Sequence, residues 1–183
     1  MQFAPKTILL KDGRSAVLRS PGLEDAAAML DYLKCVSGET EFLLRYPEEW
    51  TATVEQEGTF LAQALESPNV VMISCFADGL VVGNCTLTFQ SLMKSRHRAE
   101  LAVAIRQAYW GLGLGTILFQ EILPLARERG ISQLELEFIE GNTRARALYE
   151  KQGFRIVGIR PNGTRLRDGT LCNEYIMVKE LRD

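Results

Sequence analysis

Three glycines alternate in the stretch YWGLGLGT, Tyr109 to Thr116, between an apolar run and a run with helical spacing. Glycine at that density raises the entropy lost on folding, so a bare main chain must be needed there. A strand, a glycine loop and a helix start together describe an anion site. The first N–H groups of a helix have no intrahelical partner, converge on one place and carry the positive end of the macrodipole. The chemistry is therefore phosphate binding through the backbone. A P-loop ends in Gly-Lys-Ser/Thr, and Leu114-Gly115-Thr116 has no lysine. A dinucleotide fingerprint reads GxGxxG, whereas this loop reads GxGxG with Thr116 in the third place, although Glu140 ends the next strand at a fitting distance. The loop also follows several hairpin strands, and too little chain follows it for a second nucleotide half. A sharp turn without a ligand needs one glycine, not three.

The elements that must position this loop follow from hydrophobic spacing. TILLKDGRSAVLRS reads as a hairpin around Asp12-Gly13, and VVMISCFADGLVVGNCTLTFQ as another across Asp78-Gly79. LEDAAAMLDYLKCV and TATVEQEGTFLAQALES have helical spacing, separated by the irregular SGETEFLLRYPEEW. The polar, basic SLMKSRHR leads into the strand AELAVAI before the glycines. Beyond them Leu114, Leu118, Ile122 and Leu125 make a helical stripe that stops at Gly130, and Pro124 should remove one backbone bond and bend that helix. ISQLELEFIE is a strand with Leu134, Leu136 and Phe138 on one face and Glu135 and Glu137 on the other. NTRARALYEKQG is a short helix capped at Asn142 or Thr143 and closed by Gly153, and FRIVGIRP and LCNEYIMVKEL are closing strands. The order is ββ-αα-βββ-α-β-α-ββ, a mixed α/β (α+β) arrangement.

With 183 residues, 46% hydrophobic and 24% charged, the chain can bury a real core, and one domain over residues 1–183 is expected. A formal charge of −2 leaves no basic footprint for nucleic acid. No apolar run is long enough to span a membrane and no secretory leader is read at the start, so a soluble cytoplasmic protein is expected. Cys35, Cys75, Cys85 and Cys172 are scattered, with no CxxC pair and one histidine, His97, in the chain, which argues against a metal site and for reduced thiols. His97, in the basic stretch, reads as a surface residue.

A third kind of glycine loop completes the picture. The Gcn5-related N-acetyltransferase (GNAT) family carries Arg/Gln-x-x-Gly-x-Gly/Ala after a strand, and WGLGLG fits except at the first position, where Trp110 stands. The family's later signature is strand, Asn, Ala, then Leu-Tyr-x-x-x-Gly-Phe. The chain supplies it as LELEFIEGNTRARALYEKQGF, with Asn142, Ala145, Leu148, Tyr149, Gly153 and Phe154 in the family spacing. From about residue 7 to residue 181 the chain resembles a single-domain member of this family. The resemblance implies a mostly antiparallel sheet of six to seven strands flanked by four helices, with splayed central strands.

It also implies acetyl-CoA as co-substrate and direct transfer of its acetyl group to a primary amine, without a metal. The N–H groups of Gly111, Leu112, Gly113, Leu114, Gly115 and Thr116 would hold the pyrophosphate. Main-chain groups of Val103, Ala104 and Ile105 would pair with the pantetheine arm, which Asn142 would also hydrogen-bond. A neutral Tyr149 would protonate the departing thiolate, since a phenol near pKa 10 can serve a thiol near 8.5. A carboxylate must take the proton of the substrate ammonium. Glu100 matches the base of histone-type members and Glu137 that of enzymes acting on ribosomal-protein N-termini; the apolar neighbours Leu101, Val103 and Ile105 favour Glu100. Arg144, Arg146 and Lys151 are candidates for the 3′-phosphate. The acceptor side would be built from SGETEFLLRYPEEW and the last hairpin, and the acids of the former favour a cationic small amine or amino acid. A peptide N-terminus is the alternative acceptor, a non-catalytic acyl-CoA sensor is the alternative class, and a homodimer through the terminal strands is a family-level expectation.

Overall fold

Asp78 and Gly79 both adopt positive φ, 52° and 76°, the backbone that a two-residue hairpin turn needs and that few other residue pairs tolerate. They join β3 (Val70–Ala77) to β4 (Leu80–Phe89), just as the turn at Gly13 joins β1 (Lys6–Leu9) to β2 (Ser15–Arg19). Between the two hairpins lie α1 (Ala26–Gly38) and α2 (Val54–Glu66), and after them β5 (Arg98–Ile105), α3 (Leu114–Glu128), β6 (Gln133–Ile139), α4 (Thr143–Lys151), β7 (Arg155–Arg165) and β8 (Leu171–Glu180). The computed structural model describes residues 2–181. The element order is the one that the hydrophobic spacing predicts, and α3 continues through Pro124.

All eight strands join one sheet in the order β1-β2-β3-β4-β5-β6-β8-β7. This is one or two more than the six to seven expected. β2 joins the first hairpin to β3, and β8 inserts between β6 and β7. Every pairing is antiparallel except β5 with β6. One core cluster gathers Leu118, Phe119 and Ile122 of α3 with Tyr149 of α4 against the sheet, and a second gathers Met29, Tyr32 and Val36 of α1 with Leu61 of α2. Burial of apolar surface on both faces holds the sheet between helix layers.

The site depends on where β5 and β6 part. They pair only at Arg98, Ala99 and Glu100 with Gln133, Leu134 and Glu135. Beyond these residues β6 is held by β8 and β5 by β4, so a gap opens between the two strands.

Candidate active site

The glycine loop leads straight into α3. Gly113 caps that helix at φ 87°, a left-handed conformation that an L side chain adopts only with strain. Gly115 has a different reason to be bare. A Cβ there would lie 2.8 Å from Cδ2 of Leu148, so the missing side chain lets α3 touch α4. Two other helices satisfy one of their first N–H groups with a side chain: Thr53 accepts from Gln56 N in α2, and Asn142 accepts from Ala145 N in α4. The glycine cap of α3 offers no side chain. Among the described residues, the N–H groups of Gly111 through Thr116 donate to no backbone acceptor, and the first bond of the helix is Ile117 N to Gly113 O at 3.1 Å. Six successive donors without partners beside a helix start fit a diphosphate. The β1–β2 turn supports the loop from behind: Lys11 N–H donates to Leu112 O at 3.1 Å, and the Lys11 side chain runs over Gly113. Hairpin spacing gave no signal of this contact.

The gap between β5 and β6 receives main-chain groups by parity. Arg106 N donates to Val82 O and Gln90 N to Arg98 O across the β4–β5 ladder, whose register also pairs Asn84 with Ala104. Even-numbered residues therefore hold the hydrogen-bonded positions of the ladder, and Val103 and Ile105 turn their N–H and C=O toward the gap. Ala104 turns its own toward β4, and its carbonyl also accepts the hydroxyl of the fully buried Tyr32 at 2.7 Å. The Ile105 carbonyl is taken by Trp110 Nε1 at 2.7 Å. Val103 N–H and C=O and Ile105 N–H thus remain for a pantetheine strand, and Ala104 contributes its position in the wall. Tyr32 and Trp110 fix this edge, and neither carries a sequence signal of that role.

A cavity of about 320 Å³ occupies the gap. Val36, Thr40, Phe42 and Leu43 line it from the α1 side, and Asn142, Arg144, Ala145, Leu148 and Tyr149 from the α4 side. Asn142 and Tyr149 thus meet the same space, as their spacing predicts. Asn142 uses its oxygen to cap α4 at 3.1 Å, which leaves its NH₂ as the donor for a ligand. Tyr149 is 6% exposed and packs against Phe119, Phe138 and Phe154. Its hydroxyl has no hydrogen-bond partner among the described residues, unlike that of Tyr32. Burial first, and then the neighbouring Cys85, push the phenol above its ordinary value, so it stays a proton donor through the neutral and alkaline range.

Neither glutamate lines the cavity. Glu100 is exposed on the face shared with Ala102 and Ala104, in the part of β5 still paired with β6, and its carboxylate accepts Gln90 Nε2 at 3.0 Å. The apolar side chains expected to shield it, Leu101, Val103 and Ile105, point to the opposite face. Glu137 lies two residues past the last β5–β6 pair and so borders the gap. It is gripped by both Nη atoms of Arg160, at 2.8 and 2.9 Å, and Arg160 also bonds the buried Glu174.

The acceptor side closes over this gap. Phe42 lies on Gly141, within 3.4 Å of where a Cβ would stand. Arg167, in the β7–β8 turn, donates its backbone N–H to the Tyr46 hydroxyl at 3.0 Å, stacks on that ring and pairs with Glu48. The acids of this segment are largely occupied: Glu39 accepts from Gln107 N and Glu49 from Tyr46 N. Of the basic residues on α4, Arg146 pairs with Glu150, whereas Arg144 stacks 4.6 Å over the Trp110 ring. No group of three or more His, Cys, Asp or Glu suited to a metal ion occurs among the described residues, and no helix there is long and apolar enough to cross a membrane.

A sequence profile of the acetyltransferase (GNAT) family matches residues 37–154, which includes the glycine loop, β6 and α4. A [ribosomal protein bS18]-alanine N-acetyltransferase of Haemophilus influenzae is 43% identical over 76 residues, 42% of this chain and 51% of that enzyme, so the chain matches about half its length. An uncharacterised N-acetyltransferase of Mycobacterium tuberculosis is 32% identical over 124 residues, 66% of this chain and 73% of that protein. The crystal structure of a GNAT-family acetyltransferase from Streptococcus pneumoniae superposes with a TM-score of 0.84 at 30% identity, covering 91% of this chain and 99% of that one. With the splayed strands, the uncapped glycine helix and both signatures in place, the chain belongs to the GNAT family of acetyl-CoA-dependent N-acetyltransferases.

Proposed function

We propose that the protein transfers the acetyl group of acetyl-CoA to the primary amine of a small molecule or amino acid. The observation that carries this choice of acceptor is the tie from Tyr46 and Glu48 to Arg167. It links the α1–α2 connection to the β7–β8 turn across the acceptor side and so narrows the approach to the gap. Bound acetyl-CoA supplies a thioester carbonyl that an uncharged amine can attack. The donors of residues 111–116 hold its diphosphate, and Val103, Ile105 and Asn142 hold its arm. Glu137, bordering the gap, takes a proton from the substrate ammonium, with Arg160 fixing the carboxylate in place. As the new C–N bond forms and the C–S bond breaks, Tyr149 gives its hydroxyl proton to the thiolate sulfur, and the second proton that the nitrogen sheds as it becomes an amide passes through water to restore the phenol. This reading moves the base from Glu100 to Glu137, because Glu100 lies where the strands are still zipped.

A second acceptor, the α-amino group of a peptide N-terminus, is favoured by the name of the Haemophilus relative and by Glu137 standing five residues before Asn142. Mass spectrometry of acetylated products after incubation with acetyl-CoA separates the two, using a panel of amino acids and small amines alongside peptides beginning with alanine. The proposal expects product from a small amine; product from peptides alone would replace it with the second reading. Tight acetyl-CoA binding with no product from any acceptor would identify an acyl-CoA sensor instead.

A further inference from the structure

Arg160 and Glu137 are both exposed, and an exposed pair by itself leaves either side chain free to swing. The third member of their cluster is different. Glu174 is 6% exposed; its carboxylate bonds Arg160 Nη1 through Oε2, while Oε1 accepts the Thr164 hydroxyl at 2.7 Å. The ladder is interrupted to build this contact. Arg160 pairs with Glu174 and Thr164 with Cys172, so three residues of β7 bulge opposite the single Asn173 of β8. Within the bulge Asn162 takes a positive φ of 54° and donates its N–H to Asn173 Oδ1 at 3.2 Å. Gly163 lies against the carboxyl of Glu174, where a Cβ would stand 2.6 Å from Cδ. The bulge thus lays bare main chain over Glu174, and a buried carboxylate with both oxygens taken holds a fixed place.

We propose that Glu174 is a positioning residue for acetyl transfer, which acts through Arg160 to fix the carboxylate of Glu137 at the edge of the gap. The inference rests on the reading of Glu137 as the base. Arg160 spans the two carboxylates: Nη1 and Nη2 reach Glu137 at 2.8 and 2.9 Å, and Nη1 also bonds Glu174. A planar guanidinium held in this way cannot turn on its long stem without breaking bonds. The buried end of the cluster therefore anchors the exposed end. Two negative charges stand against one positive, so the cluster keeps a net negative charge beside the gap, which attracts an ammonium.

Steady-state kinetics with acetyl-CoA and the panel acceptor that wild type turns over fastest tests the relay in wild type, Glu174→Gln, Glu137→Gln and the double variant. Thr164→Val is a milder probe of the same anchor, circular dichroism checks folding, and calorimetry checks acetyl-CoA affinity. Glu174→Gln should keep acetyl-CoA affinity and lower kcat roughly tenfold, the cost of a base held loosely. Glu137→Gln should lower kcat roughly 100-fold. The double variant should match Glu137→Gln, because a positioning residue then has nothing left to position. Thr164→Val should lower kcat by less than Glu174→Gln does. A kcat within twofold of wild type in folded Glu174→Gln would overturn the proposal; should that variant not fold, the same result in Thr164→Val would do so. An equal loss from Glu174→Gln with Glu137 present or replaced would also overturn it, since a merely structural role acts in both backgrounds. Wild-type kcat in Glu137→Gln, or no product from any panel acceptor, would overturn the base reading and the relay together, an outcome separate from failure of Glu174 alone.

Discussion

The cofactor half of the site and the acceptor half are built from different materials. On the cofactor side the working groups are main chain: six N–H donors after Trp110, the gap-facing amides of Val103 and Ile105, and two glycines whose bareness is enforced by φ or by contact. Side chains there act mostly as supports, as Tyr32 and Trp110 do for the carbonyls of Ala104 and Ile105. On the acceptor side the contacts run through side chains: Arg160 pairs with the exposed Glu137 and the buried Glu174, Arg167 with the exposed Glu48, and side-chain oxygens of Tyr46, Glu39 and Glu49 accept backbone N–H groups. Main-chain groups bind the part of a substrate that does not vary, whereas exposed side-chain pairs can change without disturbing the fold. The difference teaches which half tolerates substitution.

Breaking the cofactor half should have the larger effects. Gly115→Val drives a branched side chain into Leu148 and moves the start of α3 relative to α4. Displacement of that order should weaken acetyl-CoA roughly 100-fold while the KM for the amine changes little; equal cofactor affinity by calorimetry on folded protein would mean that the glycine only turns the chain. Tyr32→Phe removes one buried hydrogen bond to the wall of the gap and should cost about 1 kcal/mol of stability, seen as a melting temperature lower by roughly 2–4 °C. No change in melting would detach α1 from the positioning of β5. Arg167→Ala should have the smallest effect. It unties the acceptor side, so acetyl-CoA affinity should stay put while the acceptor preference broadens toward larger amines. A fall in cofactor affinity would show that the halves are coupled.

Much of this arrangement was legible because it is local. Asp78-Gly79 marks a turn by the φ values it allows, the helical stripe after Leu114 marks α3, and Asn142 and Tyr149 meet one cavity because two helical turns separate them. What the sequence hid is long-range. That Lys11 backs the glycine loop, that Tyr32 holds Ala104 and that Arg160 grips Glu137 depend on pairings between residues 23 to 101 positions apart, which no periodicity encodes. The proposed move of the base from Glu100 to Glu137 rests on the same kind of long-range information. Alternation puts the apolar neighbours of Glu100 on the opposite face, and only the point where β5 and β6 separate distinguishes it from Glu137.

In the proposed reaction the cavity holds acetyl-CoA by main-chain contacts while Tyr149 delivers the proton to its sulfur. Steady-state kinetics and cofactor calorimetry on Tyr149→Phe test it directly. Burial, then Cys85, raise the wild-type phenol, so the wild-type rate should climb with pH as the amine loses its proton and should not fall from loss of the acid up to about pH 10. The variant should keep its fold and its acetyl-CoA affinity, because the hydroxyl has no partner to lose, and its kcat should drop roughly 100-fold. A kcat equal to wild type would contradict the account and make Tyr149 a wall of the cavity only.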